Sequence, residues 1–290
     1  MKKFLLGVVG FIVITSCSTN DEPPQVSGEK VKVQFQVSAL GVDVVPISRA
    51  SAKEALTQIE CKIYNYSTYE TTTISQTPTQ DGDNFGTITA WLAPGEYNIG
   101  IIGAGNDGTG DDRNAKAVSI SRSNQGHFNG CSYDKDAFGF TQSITVGSNS
   151  EVNSSVTLKR YVGKLCIQID GALPDVINRV EVSFDHRLWV SLSDYKSSEI
   201  EGRNEILQDL SITDGTLAEY NRYITPGEFQ VKFVTYDTAD KQMSTITVPV
   251  NIHANKRTII KGEAKNLLNQ TPFEVSVNDI WEADVIVPLS

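Results

Sequence analysis

The chain has 290 residues, of which 25 are Lys or Arg and 35 are Asp or Glu, giving a formal net charge of −10. An acidic chain is a poor partner for phosphate backbones and anionic lipid. We therefore expect no nucleic acid binding and no electrostatic attachment to a membrane. The length is sufficient for two domains of ordinary size.

Residues 1–16 have the pattern of an export signal. Lys2 and Lys3 form a basic start, and the apolar run that follows is too short to span a bilayer as a helix. The Ile-Thr-Ser sequence before Cys17 resembles a bacterial lipobox, in which that Cys becomes the lipid-bearing N-terminus. The alternative is an ordinary signal peptide with a Cys there by chance. Residues 17–29 then form an acidic tether interrupted by Pro.

The first half of the remaining chain has the pattern of successive strands. Alternate residues from Val31 to Val37 are apolar, which predicts a strand at 30–40. An extended segment at 42–47 and an exposed loop of small and polar residues at 48–55 follow. Further strands are predicted at 56–66, 69–76, 86–92, 96–103, 116–121, 138–146 and 151–158.

The stretch 156–169 predicts one or two strands that run from the first half into the second. Val156 and Leu158, and later Leu165 and Ile167, alternate with polar residues, and no linker-like composition separates them. We interpret this stretch as the last strand of one sandwich continuing into the first strand of another. Later strands are predicted at 162–170, 178–185, 187–193, 206–212, 216–224, 228–236, 243–252, 256–263 and 273–281.

Two Pro-Gly-Glu turns, at Pro94 and Pro226, are each followed by an aromatic residue that starts an alternating strand. They indicate either an internal repeat at domain scale or a coincidence of two common turns. Many short strands, without a sustained helical period, predict an all-β fold. We expect two tandem antiparallel β-sandwich domains, an N-terminal one at 30–157 and a C-terminal one at 158–290.

Motifs for catalysis or metal binding are lacking in the sequence. His127, His186 and His253 do not have the spacing of zinc ligands. His127 and Cys131 are both predicted to lie in a Gly/Asn-rich loop, but no orienting acid or motif surrounds them in the sequence. We expect no catalytic residue, no metal site and no cofactor. The acidic loop 106–112 lacks the EF-hand spacing, which favours a solvated turn over a calcium site.

The cysteines and tryptophans leave further questions open. With Cys17 assigned to lipid, an odd number of Cys remains (Cys61, Cys131 and Cys166), so no complete disulfide framework exists, although one bridge is allowed. The three Trp residues could stack on sugar rings. Trp91 and Trp281 lie in alternating apolar segments, which predicts core packing. Trp189 is therefore the one Trp predicted to be exposed.

Arg49 follows the first predicted strand and precedes small residues, where a trypsin-like protease could reach it. Cutting there would release residues 17–49, including the strand at 30–40. If that strand lies in the first sandwich, its loss would leave an open edge and an apolar groove. An open edge is a template for a donated strand. The alternative is an uncut Arg in a loop.

The order of these features resembles the Bacteroidetes fimbrillin superfamily. In sequence they are the lipobox, the acidic tether, the Val-Lys-Val-Gln-Phe-Gln-Val strand, the Ser-Arg-Ala loop, the Leu-Lys-Arg-Tyr-Val-Gly-Lys-Leu hinge, the two Pro-Gly-Glu turns and Asn255-Lys256-Arg257-Thr258. The resemblance covers nearly the whole chain and rests on this order. It implies two transthyretin-like domains, with Cys17 as the lipid-bearing (palmitate) Cys and Arg49 as the cleavage Arg.

The same resemblance implies a structural or adhesive fimbrial subunit that is not an enzyme. The acidic run after Cys17 resembles the signal that sends lipoproteins of these bacteria to the outer face of the outer membrane. The implied partners are that membrane, other fimbrial subunits joined by strand complementation, and host or bacterial surface ligands. Shaft subunits are cut after an Arg and polymerise by strand exchange, whereas anchor subunits keep their lipid and first strand.

The end of the chain favours the anchor-like or accessory role. The segment 283–289 is short, and Pro288 within it cannot donate a hydrogen bond to a β-ladder, so it is a poor donor strand. A different class of function, a surface glycan-binding lipoprotein with exposed aromatic residues, is the alternative. An array of exposed Trp and Tyr side chains on one face would favour it.

Overall fold

A computed structural model of the protein describes residues 29–40, 50–105, 118–122, 127–132, 135–148, 151–187, 189–196, 203–269 and 273–278. The predicted sites Cys17 and Arg49 lie outside the described residues, as do the segment 42–47, the acidic loop 106–112 and the segment 283–289. Within the described part of the chain, no helix is long and apolar enough to cross a membrane.

Almost all regular structure in these residues is β-strand, which confirms the predicted all-β fold. The strands of the first half are β1 (Val31–Leu40), β2 (Ala50–Ser51), β3 (Leu56–Asn65), β4 (Thr71–Gln76), β5 (Thr87–Leu92), β6 (Gly95–Gly105), β7 (Val118–Arg122), β8 (Phe128–Ser132), β9 (Ala137–Val146) and β10 (Val152–Arg160). Two one-turn helices, α1 (Ala52–Ala55) and α2 (Pro78–Asp81), and a 3-10 turn (Gly82–Asn84) complete this half.

The second half is also built of strands. They are β11 (Gly163–Asp170), β12 (Arg179–Arg187), β13 (Trp189–Ser191), β14 (Arg203–Asp209), β15 (Ile212–Thr213), β16 (Thr216–Leu217), β17 (Tyr220–Ile224), β18 (Gly227–Tyr236), β19 (Gln242–Ile252), β20 (Arg257–Glu263) and β21 (Glu274–Asn278). The one-turn helix α3 (Asn266–Asn269) precedes β21. Only Tyr161 and Val162 separate β10 from β11, so the predicted passage of strands from one half into the next is confirmed.

An eight-stranded sheet forms the first sandwich. Its strand order is β2-β1-β10-β9-β6-β3-β4, and β5 pairs with the start of β1. Strand β10 meets β9 only where Lys159 and Arg160 lie opposite Gly139 and Phe138. The strands on the two sides of this short pairing contribute inward side chains to one shared apolar core, which includes Phe35.

Two four-stranded sheets, β17-β11-β20-β21 and β14-β12-β18-β19, enclose the second core. They repeat the plan of the first sandwich. The first strand of each half (β1 or β11) lies between an antiparallel partner (β5 or β17) and a parallel partner (β10 or β20). These two parallel pairs depart from the purely antiparallel arrangement expected from the sequence. In each half, the first strand and a strand near the end of that half lie side by side and run in the same direction.

The two Pro-Gly-Glu turns occupy equivalent places in this repeated plan. Gly95 and Gly227 have φ angles of +157° and +155°, a region that favours glycine. Each begins a long strand, and each pairs with the end of the neighbouring strand, at Val146 and Ile252 respectively. The predicted internal repeat is therefore confirmed in both backbone conformation and strand pairing.

A three-stranded sheet crosses the boundary between the two halves. We call this boundary, which is centred on Tyr161 and Val162, the joint. Its order is β13-β8-β7, so a short strand of the second half pairs with a strand of the first. The segment around Cys131, which the sequence analysis placed in a loop, is thus a buried strand. The ring of Tyr161 packs between this sheet and β9, because a Cβ added at Gly130 of β8 or at Gly139 of β9 would lie 2.9 or 3.0 Å from it. Its hydroxyl donates to the Cys131 carbonyl at 3.1 Å.

A buried ion pair fixes the same joint. Arg160 Nε and Nη2 donate to the two carboxylate oxygens of Asp136 at 2.7 and 2.8 Å, and Nη1 donates to Asn255 Oδ1 at 3.1 Å. The Asn255 N–H donates in turn to the Val162 carbonyl at 2.8 Å. Burial raises the pKa of Asp136, and the guanidinium beside it opposes that rise. Bidentate pairing offsets the cost of removing both charges from water.

We predict that removing the carboxylate charge has different effects on stability in two ion pairs of equal length. Asp136→Asn leaves the Arg160 charge buried without its counter-ion and should lower the free energy of unfolding by about 3–5 kcal/mol. Asp240→Asn is the matched control, because Asp240 also lies 2.7 Å from an arginine, Arg179, but the Asp240 side chain is exposed to water. We expect that variant to change stability little. Urea unfolding measures both, and equal effects would contradict a buried pair.

The burial of three cysteines leads to a second prediction. Cys61, Cys131 and Cys166 are buried, and these three form no disulfide in the described structure. Burial raises the pKa of Cys61 to about 12, and the charge of Glu60 adds to the rise, so the reactive thiolate is scarce near neutral pH.

In a Cys17→Ala variant we therefore expect native protein to be inert to a thiol reagent such as DTNB. Unfolding in urea should then release all three thiols. Rapid labelling of the native protein, or fewer thiols after unfolding without reductant, would contradict this packing.

Candidate functional site

The first strand occupies a slot between two others. Along one edge, residues 33–40 of β1 pair in parallel with 152–159 of β10. Along the opposite edge, residues 31–36 pair in antiparallel fashion with 87–92 of β5. The backbone of β1 is therefore paired on both sides, as in a central strand. We call the space between β5 and β10 the β1 slot.

The inward face of β1 fills the slot with apolar side chains. Val33, Phe35 and Val37 are 0%, 1% and 2% exposed, and Phe35 lies opposite Ile88 of β5. The residues between them are polar and less buried, so the period-two pattern of the sequence sets which face enters the core. Burying each such side chain contributes about 1.5–3 kcal/mol, so the apolar face supplies much of what holds β1.

Polar side chains add contacts along both edges of the slot. Ser38 Oγ donates to the Val156 carbonyl at 3.3 Å and lies 3.2 Å from the Thr157 hydroxyl. On the other edge, the Thr87 hydroxyl donates to Gln36 Oε1 at 3.0 Å. These contacts favour one register of β1, since a slip of one residue would break them. The same slip would also turn the apolar face of β1 outward.

Strand β2 closes over the far end of β1. Ala50 and Ser51 pair with Ala39 and Ser38, and Arg49 directly precedes them in the sequence. A chain cut after Arg49 would lose β1 whole and keep β2. The empty slot would be two strand spacings wide, about 9–10 Å between β5 and β10. It would expose apolar core and unpaired backbone groups on both sides, which is a template for another strand.

The two residues considered as a nucleophile pair, His127 and Cys131, differ in their exposure to solvent. His127 is exposed ahead of β8, whereas Cys131 is buried within that strand. His253 is exposed, and the side chain of His186 is outside the described structure. In the described ranges, no group of three or more His, Cys, Asp or Glu side chains could hold a metal ion.

The exposed aromatic residues differ from those predicted. Trp91 was expected in the core but is 61% exposed, and Trp189, expected to be exposed, is half-buried. The sequence carried the right signal, because Ile88, Ala90 and Leu92 alternate as the inward face of β5 and leave Trp91 on the outer face. Two exposed aromatic residues that the sequence analysis missed are Tyr66 and Tyr69, and Trp281 lies outside the described residues.

No protein-family model matches the chain, and no curated protein matches it by sequence. Solved structures do match it. Proposed polysaccharide-binding proteins of Bacteroides thetaiotaomicron align with a TM-score of 0.52 and 8% identity, over 86% of this chain and 96% of theirs. A proposed adhesin of Bacteroides ovatus aligns with a TM-score of 0.50 and 10% identity, over 82% of this chain and 88% of its own. The chain has the fold of these proteins.

A fimbrial protein is also among the similar structures. The fimbrial anchor protein Mfa2 of Porphyromonas gingivalis aligns with a TM-score of 0.46 and 8% identity, over 87% of this chain and 98% of that one. The all-β sandwich fold that the resemblance implied is therefore confirmed, and it is shared with a proposed adhesin of Bacteroides ovatus.

The slot predicts that one face of β1 carries most of its contribution to stability. Phe35→Ala should lower the free energy of unfolding by about 3–5 kcal/mol, because it removes a fully buried ring and leaves a cavity. Gln34→Ala, on the adjacent outward-facing residue, should cost less than about 1 kcal/mol. Chemical unfolding of both variants measures the difference. Similar losses in the two variants would contradict the inward placement of Phe35.

Proposed function

We propose that the protein is a surface lipoprotein that serves as a structural or adhesive fimbrial subunit and joins its partners through β-strand exchange. The observation that carries this proposal is the position of β1, paired along both edges and lying in sequence between Cys17 and Arg49. The fold that the chain shares with a proposed adhesin of Bacteroides ovatus supports the adhesive part of this role.

The sequence order of Cys17, β1 and Arg49 links lipid attachment to whether β1 fills the slot. The acidic tether that follows Cys17 leads directly into β1, so a lipid on Cys17 would hold the protein to the membrane through the strand in the slot. One cut after Arg49 would remove the lipid and open the slot together. A chain that is not cut would stay anchored with its first sandwich complete.

The end of the described chain supports the anchor-like form of this role. Strand β21 pairs with β20 over residues 274–278, so this segment is already engaged within its own chain. The segment 283–289 contains Pro288, which interrupts a β-ladder. In this form β1 keeps the slot filled, so we propose that the uncut protein caps an assembly and that it would accept a donated strand only after a cut at Arg49. We also propose that it has no catalytic activity.

Glycan binding is the second candidate function, and one observation favours it. Trp91 presents a large aromatic side chain to solvent on the outer face of β5. A protein could combine this property with a fimbrial role, because Trp91 faces away from the core into which β1 packs.

Intact-mass analysis of the protein from native outer membrane tests the proposed function. We expect a chain that begins at a lipidated Cys17, and we expect Cys17→Ala to move the protein out of the membrane fraction because its acidic surface has no affinity for anionic lipid.

A native chain beginning at Ala50 would instead assign the protein to the polymerising subunits, with Arg49→Ala as the variant that blocks the cut. Retention of the Cys17→Ala variant in the membrane fraction would contradict the lipoprotein assignment. A Ser18→Ala variant, with the neighbouring residue changed and the Cys kept, is the matched control.

A further inference from the structure

A cavity of about 340 Å³ lies beside Trp91 at one end of the first sandwich. Trp91 and several apolar residues line it together with five polar residues, which we call the polar rim: Lys30, Asn65, Thr68, Glu70 and Thr72. This volume is at the lower end of the roughly 300–1,000 Å³ found for small-ligand sites. The combination of an exposed aromatic surface and a few polar groups around it is typical of such sites.

Trp91 is unusual within its own strand. Its neighbours Ala90 and Leu92 are each 7% exposed, whereas Trp91 is 61% exposed. An indole offers a broad, electron-rich face and a single N–H donor, which suits a ligand with apolar C–H groups on one side and polar groups around its edge. A pyranose ring has this arrangement, since its axial C–H groups form an apolar face and its hydroxyls surround that face.

The turn that carries part of the polar rim is held in shape without a ligand. Asn65 Oδ1 accepts hydrogen bonds from the N–H groups of Ser67 and Thr68 at 2.8 and 3.1 Å. The Asn65 N–H donates to the Glu70 carbonyl at 2.9 Å. Because these bonds fix the backbone path of residues 65–70, Thr68 and Glu70 are held beside the cavity before binding, which lowers the entropy cost of binding.

The charges of the rim indicate the class of ligand. Lys30 supplies one cation and Glu70 one anion, so the lining has no net charge. A carboxylate accepts hydrogen bonds from neighbouring hydroxyls, and an ammonium donates to hydroxyl or ring oxygens. A ligand charge of either sign would meet one like charge, on Glu70 or on Lys30, so the lining as a whole suits an uncharged ligand. We propose that this cavity binds a neutral pyranose unit of an oligosaccharide, with Trp91 stacking on the sugar ring.

The site depends on the strand in the β1 slot. Lys30 immediately precedes β1, and Trp91 lies opposite Lys32 of β1 in the β5 pairing. A chain cut after Arg49 would lose Lys30 and the strand that supports Trp91. Saccharide binding and an open slot therefore exclude each other. This inference deepens the adhesive part of the proposed function and rests on it for its biological setting.

The test uses the full-length protein, purified in a detergent without a sugar headgroup. It is first applied to an array of neutral oligosaccharides built from hexoses and N-acetylhexosamines, together with sialylated and sulfated versions of the same sugars. We expect saturable binding to members of the neutral set and weaker binding to their anionic versions. The strongest neutral oligosaccharide is then titrated calorimetrically into the protein and its variants.

Trp91→Ala should weaken binding about tenfold or more, because it removes the stacking surface, and Trp91→Phe should retain part of the affinity. Glu70→Gln should weaken binding to a similar extent through loss of a charged acceptor. Tyr69→Asn is the matched control. Tyr69 is 75% exposed on the same turn but does not line the cavity, and Asn suits its φ of +62°. We expect this variant to bind as the unaltered protein does.

Either of two results would overturn the inference. The first is an unaltered protein that binds none of the neutral oligosaccharides, or only anionic ones. The second is a Trp91→Ala variant that unfolds at the same temperature as the unaltered protein and binds equally well. Neither result affects the mass and fractionation tests of lipid attachment, so the two proposals can fail separately.

Discussion

Pairing along both edges of β1 is the constraint on which the first sandwich depends. A terminal strand at the margin of a sheet can detach and leave the remaining strands paired. Strand β1 instead joins β5 to β10, and its side chains fill the centre of the core around Phe35.

The second sandwich has the same plan, with β11 between β17 and β20. There, however, the strand is continuous with β10 through Tyr161 and Val162 and cannot leave without unravelling the joint. Of the two equivalent strands β1 and β11, only β1 would therefore be freed by a single cut.

The joint makes the two sandwiches mechanically continuous. Arg160 lies at the end of β10, its counter-ion Asp136 directly precedes β9, and Asn255 belongs to the second half. Strand β13 reaches back to pair with β8, and Tyr161 packs against that sheet. If Cys17 carries a lipid as proposed, a load applied there would enter through β1, pass to β10 along eight paired residues, and reach the second sandwich through this joint. Such a path suits the proposed link between a membrane and an assembly.

The sequence predicted the fold well where local chemistry decides it. Alternation gave β1 and the strands on both sides of Tyr161, and the repeated Pro-Gly-Glu turn indicated the duplicated plan. Parallel pairing of β1 with β10 was not predictable, because strand direction depends on how distant segments meet. The burial of the Cys131 segment depends on strand β13, which comes from the other half of the chain. Trp91 was misplaced because its apolar character outweighed its position in the alternation, which correctly put it outside with Thr89.

The central claim is that β1 fills a slot that accepts one strand of defined register. The direct test adds a synthetic peptide of residues 30–40 to a chain that begins at Ala50 and measures binding and the unfolding temperature. We predict a one-to-one complex that dissociates slowly and unfolds at a higher temperature than the peptide-free chain, whereas a peptide with Phe35→Gln binds far more weakly. A chain beginning at Ala50 that is as stable as the uncut protein, or that takes up neither peptide, would contradict the claim.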